Sequence, residues 1–124
     1  MRRVENNFLF ERLKVYQKAL DFAETVAKKA SSFPYKYSRI RDQIIGASLS
    51  IPLNIAEGCG RKTKKDANLF YSFARASVFE CIPLIEISYR LKLIESNDQV
   101  GWKEKCIELS KMISGLTKSK ARIY

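Results

Sequence analysis

Four stretches of this chain repeat their apolar residues at steps of three and four, a spacing that fits α-helix and excludes an alternating strand. In the first, Leu9, Leu13, Tyr16, Leu20, Ala23, Ala27 and Ala30 form one stripe, and Val15, Ala19, Phe22 and Val26 widen it. In the second, Ile40, Ile44, Ala47, Ile51 and Ile55 mark an inner face. The third has a main seam of Leu69, Phe73, Ala76, Glu80, Pro83, Ile87, Leu91 and Ile94, beside a second of Phe70, Ala74, Ser77, Cys81 and Leu84. The fourth steps through Trp102, Cys106, Leu109, Ile113 and Leu116.

Short breakers separate these stretches. Phe33-Pro34 closes the first, because a residue before proline is pushed out of the helical region. Gly58 is expected to stop the second in a left-handed conformation. Thr63 reads as the N-cap of the third, with Asp66 three residues on, and Ser96-Asn97-Asp98 breaks it. Helices are therefore expected over about residues 9–31, 38–57, 64–94 and 98–118. Connections this short join antiparallel neighbours, so the predicted fold is all-α: a single-domain, up-down-up-down four-helix bundle spanning the 124 residues.

Charge and side-chain chemistry narrow the function. Lysine and arginine number 23 against 13 acidic residues, a net charge of +10, which attracts polyanions and acidic partners. There is no histidine, so serine–histidine and cysteine–histidine nucleophile systems are impossible. Cys59, Cys81 and Cys106 are far apart with no CxxC pair, so zinc-ligand spacing is absent and no metal or cofactor is expected. Gly58-Cys59-Gly60 has neither the Walker nor the dinucleotide-binding spacing. No apolar run reaches the roughly 20 residues of a membrane span. No hydrophobic signal core follows Met1-Arg2-Arg3, and a soluble cytoplasmic protein is expected.

Three polar residues fall on or beside the inner seams. Asn54 lies three positions after Ile51, Glu57 follows one turn later, and Glu80 sits within the third helix's main seam. They are expected to be structural polar core, bonding one another, a neighbouring chain, or carbonyls freed by Pro52 and Pro83. A catalytic pairing of Glu57 with Glu80 lacks a nucleophile and a defined cleft, so an enzyme is not expected.

Gln43, Ser50, Asn54-Ile55-Ala56-Glu57-Gly58, Gly60-Arg61, Ala74, Ser77 and Glu80 together resemble the four-helix-bundle family encoded in intervening sequences of bacterial 23S ribosomal RNA genes. Leu13, Val15, Tyr16, Ala19 and Phe33-Pro34 extend the likeness over about Phe8 to Leu116. The resemblance implies a ring-like homopentamer. It also implies kinship with the accessory variability proteins of diversity-generating retroelements, which bind a reverse transcriptase and nucleic acid. Many members carry basic residues where this chain has Ile45 and Gly46; Arg39 and Arg41, one turn earlier, are the candidate substitutes.

In an up-down bundle the second loop shares an end with both termini. Arg61, Lys62, Lys64 and Lys65 would meet Arg2, Arg3, Lys118, Lys120 and Arg122 there and cradle phosphates. The expectation is a non-enzymatic oligomer that binds RNA or DNA by its backbone, as accessory to a larger nucleic-acid process. The alternative is a retroelement accessory or scaffold that binds a reverse transcriptase.

Overall fold

Each apolar stretch winds into a helix in the computed structural model, which describes residues 8–119. Helix α1 spans Lys14–Ala30, α2 Ser38–Cys59, α3 Lys64–Arg90 and α4 Ser96–Lys118, with single 3₁₀ turns at Leu9–Arg12 and Tyr35–Tyr37. Consecutive helices pack antiparallel, and α1 closes on α4 through the thinnest of the four seams. The result is the expected four-helix bundle, and the described residues include no strand.

The helix ends follow from local chemistry. Thr63 caps α3, its hydroxyl accepting from the Asp66 amide at 3.1 Å, as the sequence predicts. The end of α3 was not legible in the same way. The helix stops at Arg90 rather than near Ile94, because Lys92 takes a left-handed conformation with φ 62°. The amides of Lys92 and Leu93 turn back to the carbonyls of Tyr89 and Ser88 at 2.9 Å each, the paired bonds of a Schellman stop. Helix α4 begins two residues early at Ser96, where the Asp98 carboxylate accepts from the Glu95 amide at 3.0 Å.

Gly58 plays another part than the one expected of it. Helix α2 continues past it to Cys59, and Gly60 caps the helix in a right-handed conformation. Gly58 is buried under the Tyr71 ring of α3: a Cβ there would lie 2.5 Å from Tyr71 Cε1 and 3.1 Å from the Ala67 carbonyl. Glycine is needed for the approach of the two helices, not for a turn. Pro52 and Pro83 lie inside α2 and α3, and neither breaks its helix.

The core is built from Ile44, Ala47, Ile51 and Ile55 of α2 and Trp102, Cys106, Leu109 and Ile113 of α4, the faces the spacing predicts. On α1 both stripes contribute, as the widened face predicts, and on α3 another face wins. Val15, Ala19, Phe22 and Val26 fill the core from α1 together with Ala23 and Ala30, while Leu20 faces out. From α3 come Ala67, Tyr71, Ala74, Val78, Cys81 and Ile85. The predicted main seam of α3 lies outside: Leu69 is 50%, Phe73 45% and Ile87 39% exposed. Both faces of α3 are largely apolar, and the inner one sets Tyr71 among the small Ala67, Ala74 and Cys81.

Candidate nucleic-acid interface at the basic pole

The antiparallel order gathers the start of α1, the α2–α3 loop and the end of α4 at one pole. Two bonds fix the last of these. The Lys64 ammonium donates to the Leu116 carbonyl, and the Asn68 amide donates to the Thr117 carbonyl at 3.4 Å. A cation on the free carbonyls of a helix C-terminus is favourable there. Lys64 also lies 5.4 Å from the Tyr71 ring centre.

The predicted phosphate ligands therefore separate into groups. Lys62, Lys65 and Lys118 are exposed and take part in no described ion pair. Arg61 is committed internally: it pairs with Glu57 at 3.0 Å and stacks 4.2 Å above the Phe70 ring. Lys64 holds the end of α4. Lys120 and Arg122 lie outside the described residues, as do Arg2 and Arg3. Arg39 and Arg41 are at the opposite pole, where α2 begins, about 30 Å of helix from Arg61. Arg41 is moreover paired with Asp42 at 3.0 Å. They cannot share a surface with the loop lysines on one protomer.

Two cations not singled out by the sequence join the pole. Arg12 and Lys14, both exposed, stand at the entry to α1. Their place follows from the topology alone, although their isolated positions in sequence hide it. At this pole Arg12, Lys14, Arg61, Lys62, Lys64, Lys65 and Lys118 face Glu11, Glu57 and Asp66. At the far pole the acids are better used: Lys28–Glu24 at 3.1 Å, Lys29–Asp98 at 3.6 Å, Arg41–Asp42 at 3.0 Å and Arg90–Glu86 at 2.9 Å. The far pole also carries exposed cations outside any described ion pair, Lys36, Arg39 and Lys92, so the α2–α3 end is set apart by having fewer carboxylates among the described residues, not by being the sole basic end.

The three expected polar core residues do not form a core. Glu57 and Glu80 are exposed, because they ride the outward stripe. Asn54 is half-buried in the α2–α3 groove and donates to the carbonyl and hydroxyl of Ser50, both at 2.9 Å. The acceptor carbonyl is that of Ser50, not the Ser48 carbonyl opposite Pro52. Ser50 in turn lies 2.9 Å from the Ser77 hydroxyl of α3. Asn54 therefore acts on helix register through Ser50; of the residues that follow, Ile55 is buried in the core and Glu57 faces outward, as does Leu53 before them.

No group of three or more cysteine or acidic side chains among the described residues could hold a metal ion, and no described helix is long and apolar enough to cross a membrane. No curated protein matches the chain. Among solved structures, the crystal structure of a protein of unknown function from the S23 ribosomal protein family of Bacteroides thetaiotaomicron VPI-5482 superposes with a TM-score of 0.76. It is 20% identical and the match covers 85% of this chain and 99% of that one, a likeness of fold. The family model described as 23S rRNA-intervening sequence protein matches residues 11–115, nearly the whole bundle, and the chain belongs to that family.

Proposed function

We propose that this protein is a non-enzymatic, homo-oligomeric binder of RNA or DNA that grips backbone phosphates with its basic pole, as accessory to a larger nucleic-acid process. The observation that carries the reading is the set of exposed lysines free of described ion pairs, Lys62, Lys65 and Lys118, on a pole with few carboxylates. Contacts of this kind are to phosphate and carry little sequence information.

The outer seam of α3 supports assembly. From Leu69 to Ile87 it runs about 27 Å, and the exposed Leu49 and Leu53 of α2 flank it. A face of that length on a small protein, apolar but for Glu80 along its seam, marks an interaction surface. A second copy of the chain is the occupant proposed here, with the ring-like pentamer implied by the sequence resemblance as the favoured form. Identical poles brought together in this way would add weak phosphate contacts by avidity. A reverse transcriptase is the other candidate for the same face. Light scattering of the protein alone separates the two, since self-assembly covers the face. Phe73→Glu should then yield monomers, whereas a parent protein already monomeric would favour a foreign partner.

The binding claim is tested by anisotropy titration of a labelled single-stranded RNA across salt concentrations. Replacing Lys62 and Lys65 by glutamine removes two contacts per protomer and should flatten the log–log salt slope by about 1.4 for each protomer engaged. Arg39→Gln with Arg41→Gln should leave the slope unchanged. An unchanged slope in the loop variant would remove the basic pole from the function.

A further inference from the structure

The seam between α1 and α4 is thin enough to leave a cleft of about 270 Å³. Its α1 wall is Lys18, Asp21, Phe22 and Thr25, and its α4 wall is Gly101, Trp102 and Lys105. Phe22 and Trp102 lie at its base, 3% and 5% exposed, so that little of either ring reaches the cleft. Gly101 keeps the cleft open: nothing lies within 4 Å of where its Cβ would be. Unlike Gly58, then, it is required by no neighbour, yet glycine within a helix costs about 1 kcal/mol against alanine.

The rim is charged. On the lining, Lys18 and Lys105 outnumber Asp21. Glu108, three residues beyond Lys105, holds Lys18 at 3.2 Å but reaches Lys105 only at 3.9 Å. Lys105 is therefore the ammonium that a ligand carboxylate could recruit with least loss.

We propose that this cleft binds a small planar aromatic monocarboxylate, its ring held between the aliphatic stems of Lys18 and Lys105 above Phe22 and Trp102, and its carboxylate on the Lys105 ammonium with Lys18 alongside. The cleft exceeds the roughly 150 Å³ that holds a benzene ring, and a bicyclic acid is the size that fits. The site is separate from the basic pole and from the α2–α3 outer face.

Trp102 is the one tryptophan in the chain, so its indole N–H resonance reports on this cleft without ambiguity. The probe is naphthoate, titrated into the isotope-labelled full chain, with naphthylmethanol as its uncharged counterpart. The expected result is a saturable shift of the indole resonance with naphthoate and about tenfold weaker binding of the alcohol, the size of one charge-assisted hydrogen bond. Lys105→Gln, an exposed change, should weaken naphthoate to a similar degree. Gly101→Leu should abolish the shift while leaving the helical circular dichroism intact. Lys62→Gln with Lys65→Gln should have no effect. Absence of a saturable shift, equal affinity for acid and alcohol, or unaltered binding in the Gly101→Leu protein would overturn the proposal.

Discussion

Gly58→Ala separates the two roles a helical glycine can have. If Gly58 were only a weak helix former, alanine would stabilise α2 by about 1 kcal/mol. The structure gives the opposite sign. The new methyl would sit 2.5 and 2.8 Å from two ring carbons of Tyr71 and 3.1 Å from the Ala67 carbonyl, against a comfortable carbon–carbon separation of about 3.5–4.0 Å. The ring must therefore retreat by about 1 Å. It has nowhere to go: Tyr71 is 1% exposed and its hydroxyl lies 3.4 Å from the buried Cys59 sulfur. Overpacking of this kind costs about 1–3 kcal/mol, and the close, enclosed contact puts this site in the upper half of that range. After the propensity gain, the net loss should be about 1–2 kcal/mol, or roughly 3–8 °C in Tm for a chain of this length. The assay is urea unfolding followed by circular dichroism at one protein concentration, because assembly would make the midpoint concentration-dependent. Gly46→Ala and Gly115→Ala, where no atom lies within 4 Å, serve as controls and should be neutral or stabilising. In a Tyr71→Leu background, Gly58→Ala should lose most of its penalty, a coupling of about 2 kcal/mol. A Gly58→Ala protein more stable than the parent would refute the argument.

Lys92→Gly should stabilise the protein by about 1 kcal/mol, since Lys92 holds a left-handed conformation that glycine adopts freely. All three thiols are buried; Cys81 is pushed up by its hydrogen bond to Cys106 and by burial, and Cys59 by burial against the opposing Tyr71 bond and Lys64. A thiol-reactive chromophore at about pH 8 should therefore titrate none of them quickly in the folded protein and all of them after denaturation. The Glu86 carboxyl is held below its ordinary range by Arg90 at 2.9 Å, with Gln99 at 3.0 Å assisting against partial burial. Its contribution is present above the unfolded carboxylate value of about 4.3 and is lost as pH falls through the lower folded value. Thermal melts should accordingly lose less stability between neutral and acidic pH in Glu86→Gln than in the parent.

The fold was legible in the sequence because helix periodicity and short connections admit few arrangements. Which face turns inward was legible on α2 and α4, where a single apolar stripe exists, and on α1, where two stripes merge into one broad face. On α3 two faces compete, and periodicity cannot rank Leu69 and Phe73 against Tyr71 and Val78; packing against the neighbours decides. The same ambiguity misplaced Glu80, whereas Glu57 lies on α2 two positions past the buried Ile55 and so off its single stripe. The stop at Lys92 was invisible because no glycine or proline marks it. For the basic pole, the loop lysines were readable as a cluster, but the internal engagement of Arg61 and Lys64 depends on partners in other parts of the chain, Phe70 and Leu116. Arg39 and Arg41 were grouped with the loop lysines without regard to the length of α2, which carries them to the other end.

The tight seam under Gly58, fastened further along by the Ser50–Ser77 hydroxyls, and the slack seam beside Gly101 lie on opposite sides of the bundle. The molecule is hinged like a book, bound along α2 and α3 and loosest at its fore-edge. Amide exchange should therefore be slowest in the binding and fastest on the covers, and breathing of the covers gives small molecules their way in without disturbing the spine on which neighbouring protomers would rest.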